Sequence, residues 1–499
     1  MSEGDNGRGQ GSVRSAALWA AGSQYCLFAL QFATSVIISR FFLRPEEIGL
    51  FSVALAAAMI VAIIRDLGLT RYIGRHPTAD EDTVRHCTVI AVLFSFVIGA
   101  VILALAQPAA HFYGEPRLFG ILALIAGSYV LAPWSIVPLA LLSRRLDFRA
   151  TFTIEGAAAL ANSACSLILA MLGFSAESLA WAMIAQAAMR AVVAQAWRPT
   201  PFSFNVRLSR LREIAAFGSG SALLYLSGGV SLRMPDLIVG RMRGMEAAGL
   251  FSRGVALAGQ LHNLVAGAVS SIYYPAFARL RDEGRDLGPY YERVVAAHGA
   301  IVWPAMVLLA VLSQPVILLL YGEGWSEAAP LLAWVALAEC CFVALPLHMD
   351  LPILTGRLRQ LLWFNLADTV LAVATLAAGA ALGLEAAAAS RIAWGLGWFA
   401  IYAGWMKRIV GFHWPTMIRI YLRSAGLAGI TALPALFAIS VWKTPATLGF
   451  GGLVVASASS GIAWLLAVFA LRHPARDDLV SMASHALEPL LHRFRPRTA

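Results

Sequence analysis

The tetrapeptide Gly49-Leu50-Phe51-Ser52 occurs a second time as Gly249-Leu250-Phe251-Ser252. Three more short matches follow in the same order: Tyr113-Gly114-Glu115 with Tyr321-Gly322-Glu323, Arg145-Leu146 with Arg357-Leu358, and Leu172-Gly173 with Leu382-Gly383. The paired copies are 200, 208, 212 and 210 residues apart. Collinear matches at a nearly constant spacing predict an internal duplication. Two similar multi-helix halves around a central path are the architecture of many membrane transporters.

The composition places the chain in a membrane. Hydrophobic residues make up 59% of the 499 residues, charged residues only 13%, and the mean hydropathy is +0.71. A soluble protein carries about 25% charged residues. The first apolar run is too long for the hydrophobic region of a signal peptide and has no obvious cleavage site. The five cysteines lack metal-ligand spacing, so we expect them to be small core residues.

Fourteen apolar runs are long enough to span a bilayer, for which a helix needs about 20 residues. Turn-forming and charged residues separate the runs, as at Arg44-Pro45-Glu46-Glu47. We expect the long ninth run to break near Pro315. The runs cover residues 14–42, 48–70, 86–107, 117–142, 151–173, 177–197, 213–240, 247–275, 294–320, 328–353, 361–383, 387–406, 420–442 and 447–471.

The duplication divides these runs into two sets of six and leaves helices 13 and 14 outside it. Because six is an even number, both sets run in the same direction through the membrane. The sequence therefore predicts an all-α polytopic membrane protein of 14 transmembrane helices, in two parallel six-helix lobes plus two C-terminal helices. Its expected parts are a disordered cytoplasmic tail at 1–12, an N-lobe at 13–200, a C-lobe at 201–412, helices 13 and 14 at 413–472, and a cytoplasmic tail at 473–499.

Loop charges predict the orientation. With a cytoplasmic N-terminus, most of the 38 Lys and Arg residues fall in inner segments. The outer loops then hold only Arg44, Arg117, Arg241, Arg243 and Lys443. This alternation is the positive-inside pattern, and it places both termini in the cytoplasm. The net charge of +10 is thus explained by loops that face anionic membrane lipids, and no nucleic-acid partner is expected.

The tail at 473–499 has its own pattern. Apolar residues recur there every three to four positions, with arginines close by. We expect an amphipathic helix on the inner leaflet, and a partner-binding motif is the alternative interpretation. The residues concerned are Leu479, Met482, Leu487, Leu490, Leu491, Phe494, Arg493, Arg495 and Arg497.

Sequence signatures of catalysis are nearly absent. The two lysines follow Met406 and Trp442, so the chain has no Gly-Lys-Ser/Thr phosphate-binding loop. It also contains no His-Glu-x-x-His zinc motif and no Gly-x-Ser-x-Gly nucleophile motif. No loop exceeds about twenty residues, which leaves no room for a catalytic domain outside the bilayer. We expect no catalytic residue, no metal site and no cofactor.

Charged residues at membrane depth are the candidate functional residues. Each costs about 3 kcal/mol in lipid on insertion scales, so each should face the protein interior or a hydrated cavity. They are Arg65, Asp66, Glu155, Arg190, Arg233, Asp236, Arg253, Glu339, Asp368 and Arg391.

Several of these charges have an alternative structural interpretation. Arg233 and Asp236 are three residues apart on one helical face, where an ion pair is equally expected. Arg65 and its neighbour Asp66 would equally suit a salt bridge to another helix at the inner face. A further two arginines lie near helix ends, and we expect both to snorkel to the membrane surface. These are Arg190 and Arg391.

Arg253 is the most specific candidate because it directly follows the repeated tetrapeptide, where the first copy has Val53. Gln260 lies seven residues further along the same helical face, and His262 and Asn263 adjoin it. This polar stripe favours a hydrated surface over helix packing.

Five segments of the chain form a combination typical of one protein family. They are Ser39-Arg40-Phe41-Phe42-Leu43-Arg44-Pro45-Glu46-Glu47-Ile48-Gly49-Leu50-Phe51, Asp66-Leu67-Gly68-Leu69, Tyr274-Pro275-Ala276-Phe277-Ala278-Arg279-Leu280, Leu320-Tyr321-Gly322-Glu323-Gly324-Trp325 and Ala328-Ala329-Pro330-Leu331-Leu332. Together they resemble the bacterial polysaccharide transporters, the Wzx-like lipid-linked oligosaccharide flippases, and the likeness covers about residues 13–440. These flippases belong to the MOP superfamily, which also holds multidrug exporters and the lipid II flippase.

The resemblance implies two six-helix lobes in a V, as in the MATE exporters, and a location in the bacterial inner membrane. It implies the transport of an oligosaccharide repeat unit on polyprenyl pyrophosphate from the inner to the outer leaflet. Partners would be this lipid-linked oligosaccharide, membrane lipids, and the polysaccharide polymerase and export machinery. The glycan would become exopolysaccharide, capsule or O-antigen.

Arginine suits the pyrophosphate because it is always charged and donates two hydrogen bonds at once. We expect Arg253 and Arg233 to hold it, with Arg40 and Gln260 assisting. Arg65 and Asp66 are the expected inner gate. The candidate carboxylates for ion coupling are Asp66, Asp236 and Glu339.

Other functions remain open from the sequence. A cation-coupled multidrug exporter would favour acidic cavity residues, whereas five of the ten candidate charges at membrane depth are arginines. The lipid II flippase is a close competitor, but the first loop resembles the polysaccharide transporters more. A membrane-embedded enzyme of envelope polysaccharide assembly is disfavoured by the short loops and the duplication.

Overall fold

The structure, a computed structural model, describes residues 6–63, 73, 81–145, 147–201, 229–442, 448–474 and 476. Side chains are described for these residues except 6–21, 23, 264–272 and 442. The described residues are almost entirely helical and include no β-strand. The chain divides into two compact units, Met1–Gly249 and Leu250–Ala499. The lobe boundary at residue 200 stays a prediction.

The first unit is a bundle of long helices joined by short loops. In chain order its helices are α1 (Asn6–Phe41), α2 (Pro45–Ala62), α3 (Glu81–Tyr113), α4 (Arg117–Leu131), α5 (Pro133–Arg144), α6 (Phe148–Met171), α7 (Glu177–Trp197) and α8 (229–243), followed by the start of α9 (Met245–Asp282).

The second unit contains the rest of α9 and the remaining helices. They are α10 (Gly288–Val311), α11 (Ser313–Tyr321), α12 (Ala328–Val343), α13 (Asp350–Leu354), α14 (Leu358–Leu382), α15 (Leu384–Val410), α16 (Trp414–Trp442) and α17 (Phe450–Ala470). Much of the buried core of both units is alanine. Small side chains let helix backbones approach closely. In a membrane, helices associate through such close packing because the surrounding lipid is as apolar as the protein core.

Each of the fourteen predicted runs overlaps one of these helices or a consecutive pair. By length and hydropathy, eight helices of the described chain could cross a membrane, or nine when the bent pair α4–α5 counts as one span. The prediction of an all-helical, multi-pass membrane protein is confirmed, and the number of fourteen spans stays a prediction.

Some element boundaries differ from the expectations. The ninth run breaks at Leu312, close to the expected position at Pro315, which lies in the first turn of α11. A proline is tolerated there because the first turn of a helix does not need its N–H group. Helix α1 begins at Asn6 and so includes residues that the sequence assigns to a disordered tail. Of the predicted amphipathic tail, only residues 473, 474 and 476 are described.

Local sequence explains where the helices begin and end. Pro45 occupies the first turn of α2, and the Glu47 carboxylate accepts a hydrogen bond from the Arg44 backbone N–H over 2.8 Å. Asp147 caps α6 by accepting a hydrogen bond from the Ala150 N–H at 3.0 Å. Gly411 ends α15 in the left-handed conformation at φ 84°, which glycine adopts without strain.

The duplicated glycines pack against each other within the first unit. A Cβ on Gly49 would lie 1.7 Å from the Met245 carbonyl oxygen, and one on Gly249 would lie 1.8 Å from the Pro45 carbonyl oxygen. The contact is reciprocal, since each oxygen belongs to the residue four positions before the facing glycine. Only glycine allows the backbones of α2 and α9 to approach so closely. Both copies of the tetrapeptide therefore supply the same helix contact.

The repeated Tyr-Gly-Glu motif lies at an equivalent position in each unit. In the first unit, Val53 and Tyr113 both lie against Gly240, where a Cβ would be 2.6 Å from Val53 Cγ2 and 3.7 Å from Tyr113 Cε1. In the second unit, the Arg253 guanidinium lies 5.9 Å from the centre of the Tyr321 ring. In each copy, the residue after the tetrapeptide lies near the tyrosine of the Tyr-Gly-Glu motif.

Candidate functional site

The predicted site residues of the first unit lie on two helices. Arg40 is exposed at the end of α1, with its guanidinium 5.7 Å from the Phe41 ring centre. Arg233 and Asp236 are half-buried on α8. The predicted gate residues Arg65 and Asp66 lie outside the described residues.

In the second unit, Arg253 and Gln260 are half-buried on α9. Seven residues of α-helix correspond to about two turns, or roughly 10 Å, so the two side chains project from one face. The Tyr321 ring beside Arg253 provides a cation–π contact at 5.9 Å. This face presents one fixed cation and one amide, and it can offer hydrogen-bond donors to an anionic group.

Glu339 on α12 is buried between two basic side chains of other helices. Its Oε1 accepts a hydrogen bond from Arg391 Nη2 of α15 at 3.1 Å. Its Oε2 lies 3.0 Å from His262 Nδ1 of α9, which is ion-pair distance. The glutamate and arginine side chains are each 10% exposed. A buried carboxylate requires such partners, because an unpaired charge in a low-dielectric interior is expensive.

Two more features complete this cluster. His298 of α10 is buried, its ring centre lies 6.4 Å from that of His262, and neither of its ring nitrogens has a hydrogen-bond partner among the described residues. The Arg391 guanidinium also lies 5.2 Å from the Trp394 ring centre. The cluster thus places two imidazole rings beside the buried Arg391–Glu339 pair.

The expectation that Arg190 and Arg391 snorkel to the membrane surface is wrong. Arg391 pairs with Glu339 inside the second unit, as described above. Arg190 of α7 donates from Nη2 to Oε2 of Glu155 on α6 over 2.7 Å, inside the first unit. The position of an arginine near a helix end does not show whether a neighbouring helix carries a carboxylate at the same depth.

Asp368 has a structural partner. It is one of three polar residues of α14 that accept hydrogen bonds from aromatic side chains of α15. The three bonds are Trp394 Nε1 to Asp368 Oδ1 at 2.7 Å, Tyr402 OH to Asn365 Oδ1 at 2.8 Å and Trp405 Nε1 to Gln360 Oε1 at 3.1 Å. This ladder fixes α14 against α15. The signal in the sequence is a polar residue at each turn of α14 opposite an aromatic-rich helix.

Comparison with known proteins supports the resemblance. The chain matches the family described as "Polysaccharide biosynthesis protein" over residues 37–330. It is 24% identical over 364 residues to the succinoglycan biosynthesis transport protein ExoT of Rhizobium meliloti (strain 1021), covering 72% of this chain and 73% of that protein. It is 22% identical over 324 residues to the lipopolysaccharide biosynthesis protein WzxC of Escherichia coli (strain K12), covering 64% and 65%.

Solved structures share the fold. The lipid II flippase MurJ in an inward closed conformation matches with a TM-score of 0.74 at 10% identity, covering 93% of this chain and 100% of that one. An inward-facing MATE family multidrug transporter of the MOP superfamily matches with a TM-score of 0.60 at 15% identity, covering 77% and 95%. An all-helical fold like that of MurJ and the MATE transporters is thus confirmed, whereas the two lobes of six helices stay a prediction. Since the family match covers more than half of the chain, the protein belongs to the polysaccharide biosynthesis protein family.

Proposed function

We propose that this protein moves an oligosaccharide repeat unit, linked to polyprenyl pyrophosphate, from the inner to the outer leaflet of a bacterial inner membrane. The observation that carries the proposal is the family match over residues 37–330. The relatives' names support it, since one is a succinoglycan transport protein and another a lipopolysaccharide biosynthesis protein. The cargo would be the precursor of a surface polysaccharide. The polymerase and export machinery would be partners in its synthesis.

Moving a charged diphosphate into a low-dielectric space costs much free energy unless cations pair with it. The pyrophosphate therefore needs cations along its path. Arg253 is the principal candidate, with Gln260 two turns away on the same face of α9. Arg233 and Arg40 would contact the pyrophosphate at other stages of transport. Arginine offers these contacts with a charge that does not depend on pH.

Transport would proceed by alternating access. The two six-helix lobes would form a V, with helices 13 and 14 outside the duplication. The lobes would rock against each other and expose a central cavity first to the inner and then to the outer side of the membrane. Both termini would lie in the cytoplasm, in keeping with the loop charges. Arg65 and Asp66 would form part of an inner gate, on the basis of the sequence alone.

Ion coupling would use Glu339, the better placed of the two candidate carboxylates that the structure describes. Its partners Arg391 and His262 lie on different helices, so one carboxylate links α9, α12 and α15. Protonation of Glu339 would remove the charge that attracts both partners and so loosen these helices. Asp236 on α8 is the second candidate, in the first unit.

A deletion strain tests the function. Its extracted lipids should contain accumulated polyprenyl-pyrophosphate oligosaccharide on the inner leaflet, and its surface polysaccharide should be lost. The wild-type gene should restore export, whereas Arg253→Ala should not, although the variant protein reaches the membrane at a normal level. Normal surface polymer without lipid accumulation would refute the function, and full export by Arg253→Ala would remove this residue from the site.

A further inference from the structure

A cavity of about 320 Å³ lies inside the first unit, between the bent pair α4–α5 and α7. None of the residues expected to hold pyrophosphate lines it. The bend creates the space: α4 and α5 meet at 48° where Pro133 begins α5. Proline disrupts a continuous helix because it has no N–H to donate and its ring clashes with the preceding turn.

A second interaction stabilises the bent shape. Pro138 inside α5 cannot donate to the carbonyl four residues earlier, which is that of Trp134. Gln195 of α7 takes over this role and donates from Nε2 to the Trp134 oxygen at 2.7 Å. The distorted helix is thus fixed to α7 beyond one end of the cavity.

The cavity wall carries several hydrogen-bonding groups. The hydroxyls of Ser128 and Ser135 donate within their own helices, to the carbonyls of Ile125 at 2.7 Å and Ala132 at 2.9 Å, and retain lone pairs as acceptors. Gln186 accepts a hydrogen bond from Asn162 Nδ2 at 3.4 Å through its Oε1, which leaves its amide N–H groups as donors. The wall therefore offers both donors and acceptors.

The Arg190 side chain gives the strongest indication that the cavity binds a ligand. Its Nη2 donates to Glu155, but its buried Nε has no hydrogen-bond partner in the part of the chain that the structure describes. A buried donor without a partner is uncommon and marks a place where a ligand or water would be stabilised. Arg190 lines the cavity, so a guest with an oxygen acceptor would complete its bonding.

Charge and size indicate what kind of guest fits. Arg190 and Glu155 compensate each other at 2.7 Å, so the wall has no surplus positive charge for a pyrophosphate. Tyr129, Ile136 and Met183 form an apolar side against which C–H groups can pack. A volume near the lower end of the roughly 300–1,000 Å³ range of small-molecule sites suits one sugar ring, not a polyprenyl chain. Hydroxyl groups, which both donate and accept, match the mixed wall.

We propose that this cavity binds one monosaccharide unit of the transported oligosaccharide, apart from the arginines that hold its pyrophosphate. The inference rests on the proposed function, because it assumes that the cargo carries sugars. The bend at Pro133 and the Arg190–Glu155 pair would be the means by which the first unit selects the glycan.

Protection of an introduced cysteine tests this assignment directly. The five native cysteines are replaced, and Ser143→Cys is introduced at the exposed end of the cavity. Thr153→Cys, exposed on α6 outside the cavity, is the matched control. Labelling with N-ethylmaleimide is measured on the purified protein with two probes: lipid-linked oligosaccharide extracted from the deletion strain, and polyprenyl pyrophosphate without sugar.

The oligosaccharide-bearing lipid should slow labelling of Ser143→Cys about tenfold at roughly ten times its Kd, and leave Thr153→Cys unchanged. Polyprenyl pyrophosphate alone should protect neither cysteine. Equal protection of Ser143→Cys by the sugar-free lipid would overturn the proposal, since the cavity would then hold phosphate or lipid. An absence of protection by both probes would overturn it as well.

Export in cells provides a second readout. The double variant Ser128→Ala/Ser135→Ala removes two acceptors and should reduce export, while Ser95→Ala, a buried serine of α3 outside the cavity, should not. Membrane levels are compared by immunoblot. If wild-type protein fails to restore export to the deletion strain, the proposed function fails. If wild type and the double variant restore it equally, only the sugar site fails.

Discussion

Arg391 donates a hydrogen bond to Glu339 inside the second unit, from Nη2 to Oε1 at 3.1 Å, and both side chains are only 10% exposed. The pair joins α15 to α12, and its two charges are largely shielded from water.

Removal of one partner should destabilise the protein more than removal of both. Arg391→Ala leaves the Glu339 carboxylate with His262 alone, and breaking a buried pair costs about 3–5 kcal/mol. The double variant Arg391→Ala/Glu339→Gln should recover part of this loss because no uncompensated charge remains. Thermal unfolding in detergent measures both, with Arg419→Ala at an exposed position as the control. A single variant as stable as wild type would contradict this role of the pair.

Gln195 should contribute more to stability while residue 138 is proline. Gln195→Leu deprives the Trp134 carbonyl of its donor, which costs about 1–3 kcal/mol for an unsatisfied buried acceptor, and it also removes two hydrogen bonds to Thr200. Pro138→Ala restores an N–H four residues after Trp134, so the double variant should regain the part of the lost stability that belongs to the Trp134 carbonyl. The unfolding midpoints of the two single variants and the double variant give the coupling. Additive losses would show that the two residues act independently.

The reciprocal glycine contact should not tolerate a methyl group. Gly249→Ala would place a Cβ 1.8 Å from the Pro45 carbonyl oxygen, so α2 and α9 would have to separate. Overpacking typically costs about 1–3 kcal/mol, and a clash with backbone should reach at least the upper end. Gly259→Ala on the same helix, which meets nothing within 4 Å, should be neutral or slightly stabilising. Comparable losses of folded protein for both variants, by size-exclusion chromatography, would rule out this close contact.

Acid should weaken the contact between His473 and Ser424. His473 follows α17, its Nε2 lies 3.1 Å from Ser424 Oγ, and burial, with a smaller effect of Arg423, lowers the pKa of its imidazole to about 4 from an ordinary value of 6.5. Between these values the unfolded chain binds a proton that the folded protein excludes, so stability falls as the pH decreases through this range.

The pH effect can be isolated with one substitution. The unfolding midpoint of wild type relative to His473→Asn should decrease from pH 7 to about pH 4, because only wild type has the imidazole to protonate. A difference that stays constant with pH would show that His473 does not titrate in this way.

The sequence predicted the helices well because hydrophobic runs and turn residues are local signals. The run at 177–197 coincides with α7, and Arg44-Pro45-Glu46-Glu47 marks the start of α2. The bend inside the run at 117–142 was not predicted, although Pro133 and Pro138 are its chemical cause. A proline in an apolar run shows where a helix can bend, whereas the angle depends on neighbours such as Gln195.

The candidate site was predicted less completely. Glu339 was identified from the cost of a charge in the membrane, but its partners His262 and Arg391 come from distant parts of the chain. Pairing between helices depends on their rotation and packing, which a single sequence does not reveal. For the same reason, the cavity beside Arg190 had no signal in the sequence beyond scattered serines in α4 and α5.

The central claim is transbilayer movement of a lipid-linked oligosaccharide, and purified protein in proteoliposomes tests it most directly. Lipid-linked oligosaccharide is placed in the inner leaflet, and a membrane-impermeant lectin detects glycan that reaches the outside. Liposomes with wild-type protein should expose the glycan faster than protein-free liposomes, and Arg253→Ala should slow this exposure. Exposure no faster than in protein-free liposomes, under an imposed ion gradient of either direction, would contradict the account.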